Sequence, residues 1–363
     1  KIDMVTEPVT ALLAMKTGRP VKLVYTRRED IPSSRNRHSM KIRLKTGVKL
    51  DGTIVAQDME VLVNAGAYAG GTMSIVWAMS GKYFKINKTK NLRFHAVPVY
   101  TNTPIAGAMR GFGSPQEFFA QQCQLNRIAG DLGMDLTELE LKNLVEPDDF
   151  DQRDGMPHGN PRPIDCVLKG KELSHYEEGK REQEATKNDR YRIGMGMAVA
   201  AHGNGVFGVR PDTTGVIIKM NEDGSAVMFT GVSDMGNGSV TTQTQVVSQV
   251  LGIPMDHIEC VQADTDSTLW DMGNYSSRGT FVSCSAALKV ASQVREELLK
   301  EASGLLERPV EDLDMGEECV VSLSDPEASA SLAEVIRYAK QAHGRDICCA
   351  DTFASCAMAV SYG

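Results

Sequence analysis

The chain has 363 residues, 42% of them apolar and 24% charged, which allows two or three well-buried domains of an ordinary globular kind. Its formal net charge of −8 and sequence pI near 5.5 argue against a nucleic-acid or anionic-membrane surface as the main partner. No apolar run approaches the roughly 20 residues of a bilayer crossing. No signal peptide opens the chain, and its eight cysteines form no C-x-x-C pair. That disfavours a zinc or iron–sulfur site within the chain and suits a reducing cytoplasm. The first residue is Lys1 rather than Met, so the expectation is a fragment, or a subunit whose native start lies upstream.

Residues 4–17 carry a helical rhythm that TGRP (17–20) ends, and VKLVYTR (21–27) alternates as a strand would. KIRLKTGV and TIVAQDMEVLVNAG flank a Leu-Asp-Gly turn and predict paired strands. LRFHAVPVYTN (92–102) predicts another strand, after which AGAMRGFGSPQ (106–116) forms a glycine-opened loop. A helix is expected over 115–132, with Ser114 at its cap and Pro115 in its first turn. A second helix, 135–145, leads into a polar, Pro-rich stretch. Residues 169–192 are highly charged and nearly free of core residues; they read as a solvated helix or linker and mark the domain boundary. The pattern then restarts. Residues 191–203 are strand-like, 213–234 form a hairpin through Glu-Asp-Gly, and 235–252 turn from a glycine loop into a helix. Strand and loop follow at 257–268, a loop entering a long helix at 274–306, a helix at 331–343, and a strand from about 352.

A strand, a glycine or serine loop and a helix thus recur three times, at 106–115, 235–240 and 273–280. Helix starts with small hydrogen-bonding loops suit phosphate and a polar heterocycle, although a generic α+β enzyme can show the same by chance. Arg110 is permanently charged and can donate two parallel hydrogen bonds to an oxyanion or oxo group, and Phe112 can stack a flat ligand. The competing arrangement buries Phe112 and spends Arg110 on a salt bridge. Gly236, Asn237 and Gly238 offer freed backbone and an amide that both donates and accepts; a plain helix cap explains them equally. Ser276, Ser277, Arg278, Gly279 and Thr280 could hold phosphate, or supply no more than a serine cap. Asp264 and Asp266 are spaced like a divalent-metal clasp, the mark of a glycosyl- or phosphoryl-transferase, or of a polar loop. The seven histidines are scattered, and no nucleophile elbow, phosphate loop or dinucleotide fingerprint stands in its proper context.

TNTPIAGAMRGFGSPQ, DMGNGSVTTQTQ and ADTDSTLWDMGNYSSRGT, in this order, resemble the molybdopterin-binding subunit of the xanthine dehydrogenase and aldehyde oxidoreductase family. TEPVTALLAMKTGRPVKLVYTRRED and ELELKNLVEPDD resemble further segments of that family, so the likeness runs along essentially the whole chain. The resemblance implies that Arg110 lies beside the molybdenum oxygen ligands and that Gly111 lends its backbone near the metal. It implies that Phe112 stacks substrate, that the loops 235–238 and 276–280 hold the pterin and its phosphate, and that the Asp264–Asp266 loop is structural. No protein side chain ligates the metal, which is held through the pterin. The activity implied is oxidation of an aldehyde or N-heterocycle with water as oxygen donor. The cofactor would be molybdopterin or its cytosine dinucleotide form, with 2Fe-2S clusters and FAD on partner domains or subunits.

Departures refine this. The family's glycine-rich segment would precede Lys1, and its general-base Glu would lie beyond Gly363, so the isolated chain is expected to be inactive. Asn237 stands where the family usually has Gln. Ile2 and Ala78 stand where xanthine-oxidising members carry purine anchors, and Gly111 stands where carbon monoxide dehydrogenases have Cys. Phe207 is the candidate for a second ring-clamping aromatic. A non-catalytic scaffold that assembles with partner subunits is the alternative. The expected fold is α+β: two similar halves, 1–165 and 191–363, joined by the charged stretch 166–190. Each half is expected to be a mixed β-sheet with helices packed on one side, with the cofactor in the cleft between them.

Overall fold

The computed structural model describes residues 5–362 apart from 69, 152, 154, 156, 207–210, 357 and 358. The expected sites Ile2 and Phe207 therefore lie outside the described residues. The chain divides into two compact units, one of residues 2–202 with 360–363, the other of residues 203–359.

The first unit opens with helices α1 (Glu7–Thr17) and α2 (Arg27–Ser33). The alternating stretch 21–27 is not a strand. Thr26 instead starts α2 with a capping box: its hydroxyl accepts from Glu29 N, and Glu29 Oε2 accepts from Thr26 N. A satisfied helix start thus outweighs apolar alternation that has no neighbouring strand to pair with. Strands β1 (Met40–Val48) and β2 (Ile54–Gly66) pair antiparallel, and β3 (Leu92–Tyr100) joins β2 in parallel after helix α3 (Thr72–Tyr83) crosses over. Met59, Val61 and Val63 face Val76, Met79 and Tyr83, so alternate residues of the central strand meet one stripe of the helix.

Helix α4 (Ser114–Leu132) begins one residue earlier than expected. Gly113, in the left-handed region at φ 96°, is its N-cap, and Ser114 is its first residue rather than the cap. Helix α5 (Leu136–Asn143) is capped by Asp135, whose carboxylate accepts from Thr137 N at 2.9 Å. The charged stretch forms two helices, α6 (Pro163–Leu173) and α7 (Tyr176–Ala185), broken at His175. It is not wholly solvated: Tyr176 is buried, and its hydroxyl donates to Asp135 at 3.1 Å. Of the strand-like residues 191–203, only the end is strand, in β4 (Ala201–Asn204). Gly194 and Gly196 weaken the preceding stretch.

The second unit repeats the first unit's local plan. Strands β5 (Thr213–Met220) and β6 (Ala226–Thr230) form the expected hairpin, helix α8 (Ser239–Leu251) crosses over, and β7 (Ile258–Gln262) pairs in parallel with β6. Helix α9 (Cys284–Leu306) follows a π-helical turn at 279–283. The short strands β8 (Leu313–Met315), β9 (Cys319–Ser322) and β10 (Ser329–Ser331) make their own sheet. Helix α10 (Leu332–His343) then leads to β11 (Cys348–Ala354), which pairs antiparallel with β5. Val216, Ile218, Met220 and Met228 pack against Val247, Leu251, Val290, Val294 and Val335 from three helices. The fold is α+β, with mixed sheets and helices laid against them, as expected.

Candidate cofactor and substrate site

The first loop lies in the first unit. Gly111, Phe112 and Gly113 are three successive residues with positive φ, at 94°, 46° and 96°. A non-glycine residue in this region is uncommon and costs energy, so surrounding bonds must hold it. Among the bonds that do so, Phe112 N donates to Met109 O at 2.9 Å, Ser114 N to Gly111 O at 3.0 Å, and Arg37 Nη2 to Arg110 O at 2.7 Å. Gly113 is also sterically required, because a Cβ there would meet Met79 Cβ at 3.0 Å. The result is a rigid loop at the start of α4. Arg110 is exposed, and its guanidinium makes no ion pair or hydrogen bond among the described residues. Phe112 is half-buried rather than in the core. Ala78 is half-buried on α3.

The second and third loops lie together in the second unit. Gly236 and Gly238 both have positive φ, at 96° and 72°, and Gly238 caps α8. Asp234 turns its carboxylate into this loop, accepting from Gly236 N at 2.7 Å and Gly238 N at 3.4 Å, and these bonds hold it below the usual carboxylate range. Asn274 Nδ2 donates to Asn237 Oδ1 at 2.9 Å and to Ser233 O at 3.1 Å, tying the third loop to the second. Asn274 Oδ1 and Asn237 Nδ2 both approach Gly279, 3.0 and 3.9 Å from where a Cβ would stand. Ser276 and Ser277 are consecutive residues at φ 53° and 51°. Ser276 Oγ donates to Gly205 O at 2.9 Å, while the exposed hydroxyls of Ser277 and Thr280 make no hydrogen bond among the described residues.

Arg278 differs from its neighbours. It is fully buried. Its Nε donates to Asp212 Oδ1 at 2.7 Å, its Nη1 to Asp271 Oδ2 at 2.7 Å and to Gly273 O at 3.2 Å, and its Nη2 to Thr213 O at 2.9 Å. Burial opposes its charge, but the two aspartates outweigh that and raise its pKa. The guanidinium is thus consumed inside the protein, and the surface that Ser276, Ser277 and Thr280 offer is backbone and hydroxyl. The approach is close: a Cβ on Gly231 would meet Leu269 O at 2.3 Å, just before Asp271. Asp264 also turns inward on its own loop, where its Oδ1 accepts from Asp266 N at 3.0 Å.

Sequence reasoning missed Asn274, Asp212 and Asp271. Asn274 opens the motif NYSSRGT and could have been read as a loop clasp. Asp212 lies 66 residues from its partner Arg278, and nothing local signals that pairing. Lys82, which reaches the first loop, was also missed.

A family profile described as molybdopterin cofactor-binding domain matches residues 1–144, and a second profile of the same description matches residues 169–359. The chain belongs to this molybdopterin-binding family, that of xanthine dehydrogenases and aldehyde oxidoreductases. It is 30% identical over 329 residues to the xanthine dehydrogenase molybdenum-binding subunit of Escherichia coli O157:H7, across 90% of this chain and 44% of that protein. It is 31% identical over 244 residues to the aldehyde oxidoreductase of Megalodesulfovibrio gigas, across 66% of this chain and 26% of that one. Its fold matches that of quinoline 2-oxidoreductase from Pseudomonas putida 86 with a TM-score of 0.87 at 22% identity, covering 98% of this chain and 48% of that chain. The chain therefore spans less than half the length of these relatives. Among the described residues, no helix is long and apolar enough to cross a membrane.

The residues present fit the family's cofactor. The paired loops of the second unit present neutral donors and acceptors, namely an amide, hydroxyls and glycine-opened backbone, which suit a pterin edge and a phosphate. The first loop presents a fixed cation and an aromatic, which suit oxo groups and a flat substrate.

Proposed function

We propose that this chain is the cofactor-binding portion of a molybdenum hydroxylase that oxidises an aldehyde or an N-heterocycle with water as oxygen donor. The observation that carries the reading is the first loop, where the exposed Arg110 stands beside the held turn Gly111–Phe112–Gly113. When bound, molybdopterin supplies the redox chemistry. The chain's own residues bind and orient. In this reading Arg110 would supply the cation that faces the cofactor, Gly111 would let the backbone come close to it, and Phe112 would stack the substrate. Asn237, Gly236 and Gly238 hold the pterin edge, while Ser276, Ser277, Gly279 and Thr280 hold the phosphate. Arg278 acts one layer below, fixing the third loop. Electrons would leave through 2Fe-2S clusters and FAD on partner domains or subunits. Ala78 in the place of a purine anchor, and Gly111 in the place of a cysteine, favour an aldehyde or N-heterocycle over xanthine or carbon monoxide.

Elemental analysis of the full-length protein, purified with its partners from molybdenum-replete cells, tests this. About one molybdenum per chain, with turnover in a screen of aldehydes and N-heterocycles, is the expected result. A folded preparation without molybdenum would overturn it and leave the scaffold reading in its place.

A further inference from the structure

Lys82 lies in the last turn of α3 and is 7% exposed, a rare place for an ammonium. Its Nζ donates to Gly111 O and to Phe112 O, each at 3.0 Å. These carbonyls belong to two of the three residues whose left-handed backbone gives the first loop its shape. Burial pushes the Lys82 ammonium down to about 8, with Glu117 partly opposing the shift, so it remains protonated at neutral pH. Glu117 is itself fully buried on α4, and neither of its carboxylate oxygens has a hydrogen-bond partner among the described residues. Burial raises its pKa well above the ordinary value, with Lys82 partly opposing, so it is a weak counter-ion.

A buried cation is costly, and one that gives its hydrogen bonds to a loop's carbonyls holds that loop more strongly than neutral donors would. It also adds positive potential where the N-terminus of α4 already supplies some. We propose that Lys82 is a positioning residue: from beneath the loop it holds Gly111 and Phe112 in their left-handed conformation, and so fixes the Phe112 ring for the substrate. The second half of this statement rests on the proposed function, in which Phe112 stacks substrate. The first half does not.

The test uses the full-length, cofactor-loaded protein with its partners, carrying Lys82→Met or Lys82→Arg. Hydrogen exchange is followed on peptides covering 109–114, alongside molybdenum content, kcat and KM. Lys82→Met is expected to speed exchange of the Phe112 and Ser114 amides at least tenfold, with the β1–β3 sheet unchanged. KM should rise about tenfold or more, with less effect on kcat and no loss of molybdenum. Lys82→Arg should recover part of both. Unchanged exchange at 109–114 in folded Lys82→Met protein would overturn the positioning role. Faster exchange with unchanged KM would support that role and overturn the stacking role of Phe112. Should Lys82→Met fail to fold, the native protein decides. Its Phe112 and Ser114 amides should exchange within about tenfold of the α4 amides, and exchange as fast as in the exposed segment 190–192 would sink the proposal.

Discussion

The two loop regions are anchored by opposite means. The 233–239 and 271–280 loops rest on a buried ion-paired triad: Arg278 meets Asp212 and Asp271, and it also donates to two backbone carbonyls. The 109–113 loop rests on Lys82, while the Glu117 carboxyl on α4 has no hydrogen-bond partner among the described residues. Glu140, on α5, is likewise a buried carboxyl, eased only by the amide of Gln122. A saturated anchor costs little once formed and is rigid. An unsatisfied one keeps charge and strain close to the surface loop it supports. The loop with the exposed cation is thus held from beneath by a single buried ammonium, and the loops that offer neutral donors are held by an ion-paired guanidinium.

The largest effect should come from breaking the saturated anchor. Arg278→Met leaves two aspartates buried without their cation and should cost about 3–5 kcal/mol, read as a fall in the unfolding midpoint. The comparison fails if that variant unfolds like the native protein. Next is the exposed cation. Arg110→Met should lower kcat/KM at least about 100-fold, or roughly 3 kcal/mol, in the loaded enzyme. Because the Arg110 guanidinium has no partner among the described residues, thermal stability should stay unchanged, and a large loss of stability would contradict the geometry.

A pH experiment sharpens the contrast further. Burial pushes Glu140 up to about 7, only partly eased by Gln122, so the native state keeps a proton that the unfolded chain releases near 4.5. Stability from this group is complete below about 4.5 and is lost as pH rises through about 7. Glu140→Gln should remove that decline and gain up to about 3 kcal/mol at pH 8. Glu301 in the other unit runs the opposite way. Burial opposes its ionisation, but Arg345 and His343 outweigh that and hold it below the ordinary value. Its contribution is therefore present above the ordinary carboxylate range and lost as pH falls. Local hydrogen exchange on α5 and α9 between pH 5 and 8 should show α5 loosening as pH rises while α9 holds. The smallest effect should come from Asn274→Ala, which frees Ser233 O and Asn237 from their donor. About 1 kcal/mol of local stability should be lost, with faster exchange confined to 233–239 and 273–278.

Much of the fold was legible in the sequence because its signals are local. The strands flanking Leu-Asp-Gly, the hairpin through Glu-Asp-Gly and the helices after each glycine loop follow from period and turn chemistry. Residues 21–27 misled because alternation says nothing about whether a pairing strand exists, while the Thr26–Glu29 box settles the local backbone. Of the site, Arg110 and Phe112 were visible as an odd pair in a glycine loop, and Asn237 and Ser277 as polar groups at helix starts.

What the sequence by itself determined is the identity of the surface groups: which cation, which aromatic, which amides and hydroxyls stand in loops that glycine frees. Only the tertiary structure decided which charges are spent. Arg110 and Arg278 sit in similar loops before helices and read alike as residues. One stays exposed, because no carboxylate among the described residues pairs with it. The other is sealed, because Asp212, 66 residues away in the chain, is folded onto it. Lys82 likewise gains its role only when α3 lies against the start of α4. Pairing over such distances depends on packing rather than on local propensity, and no period or motif records it.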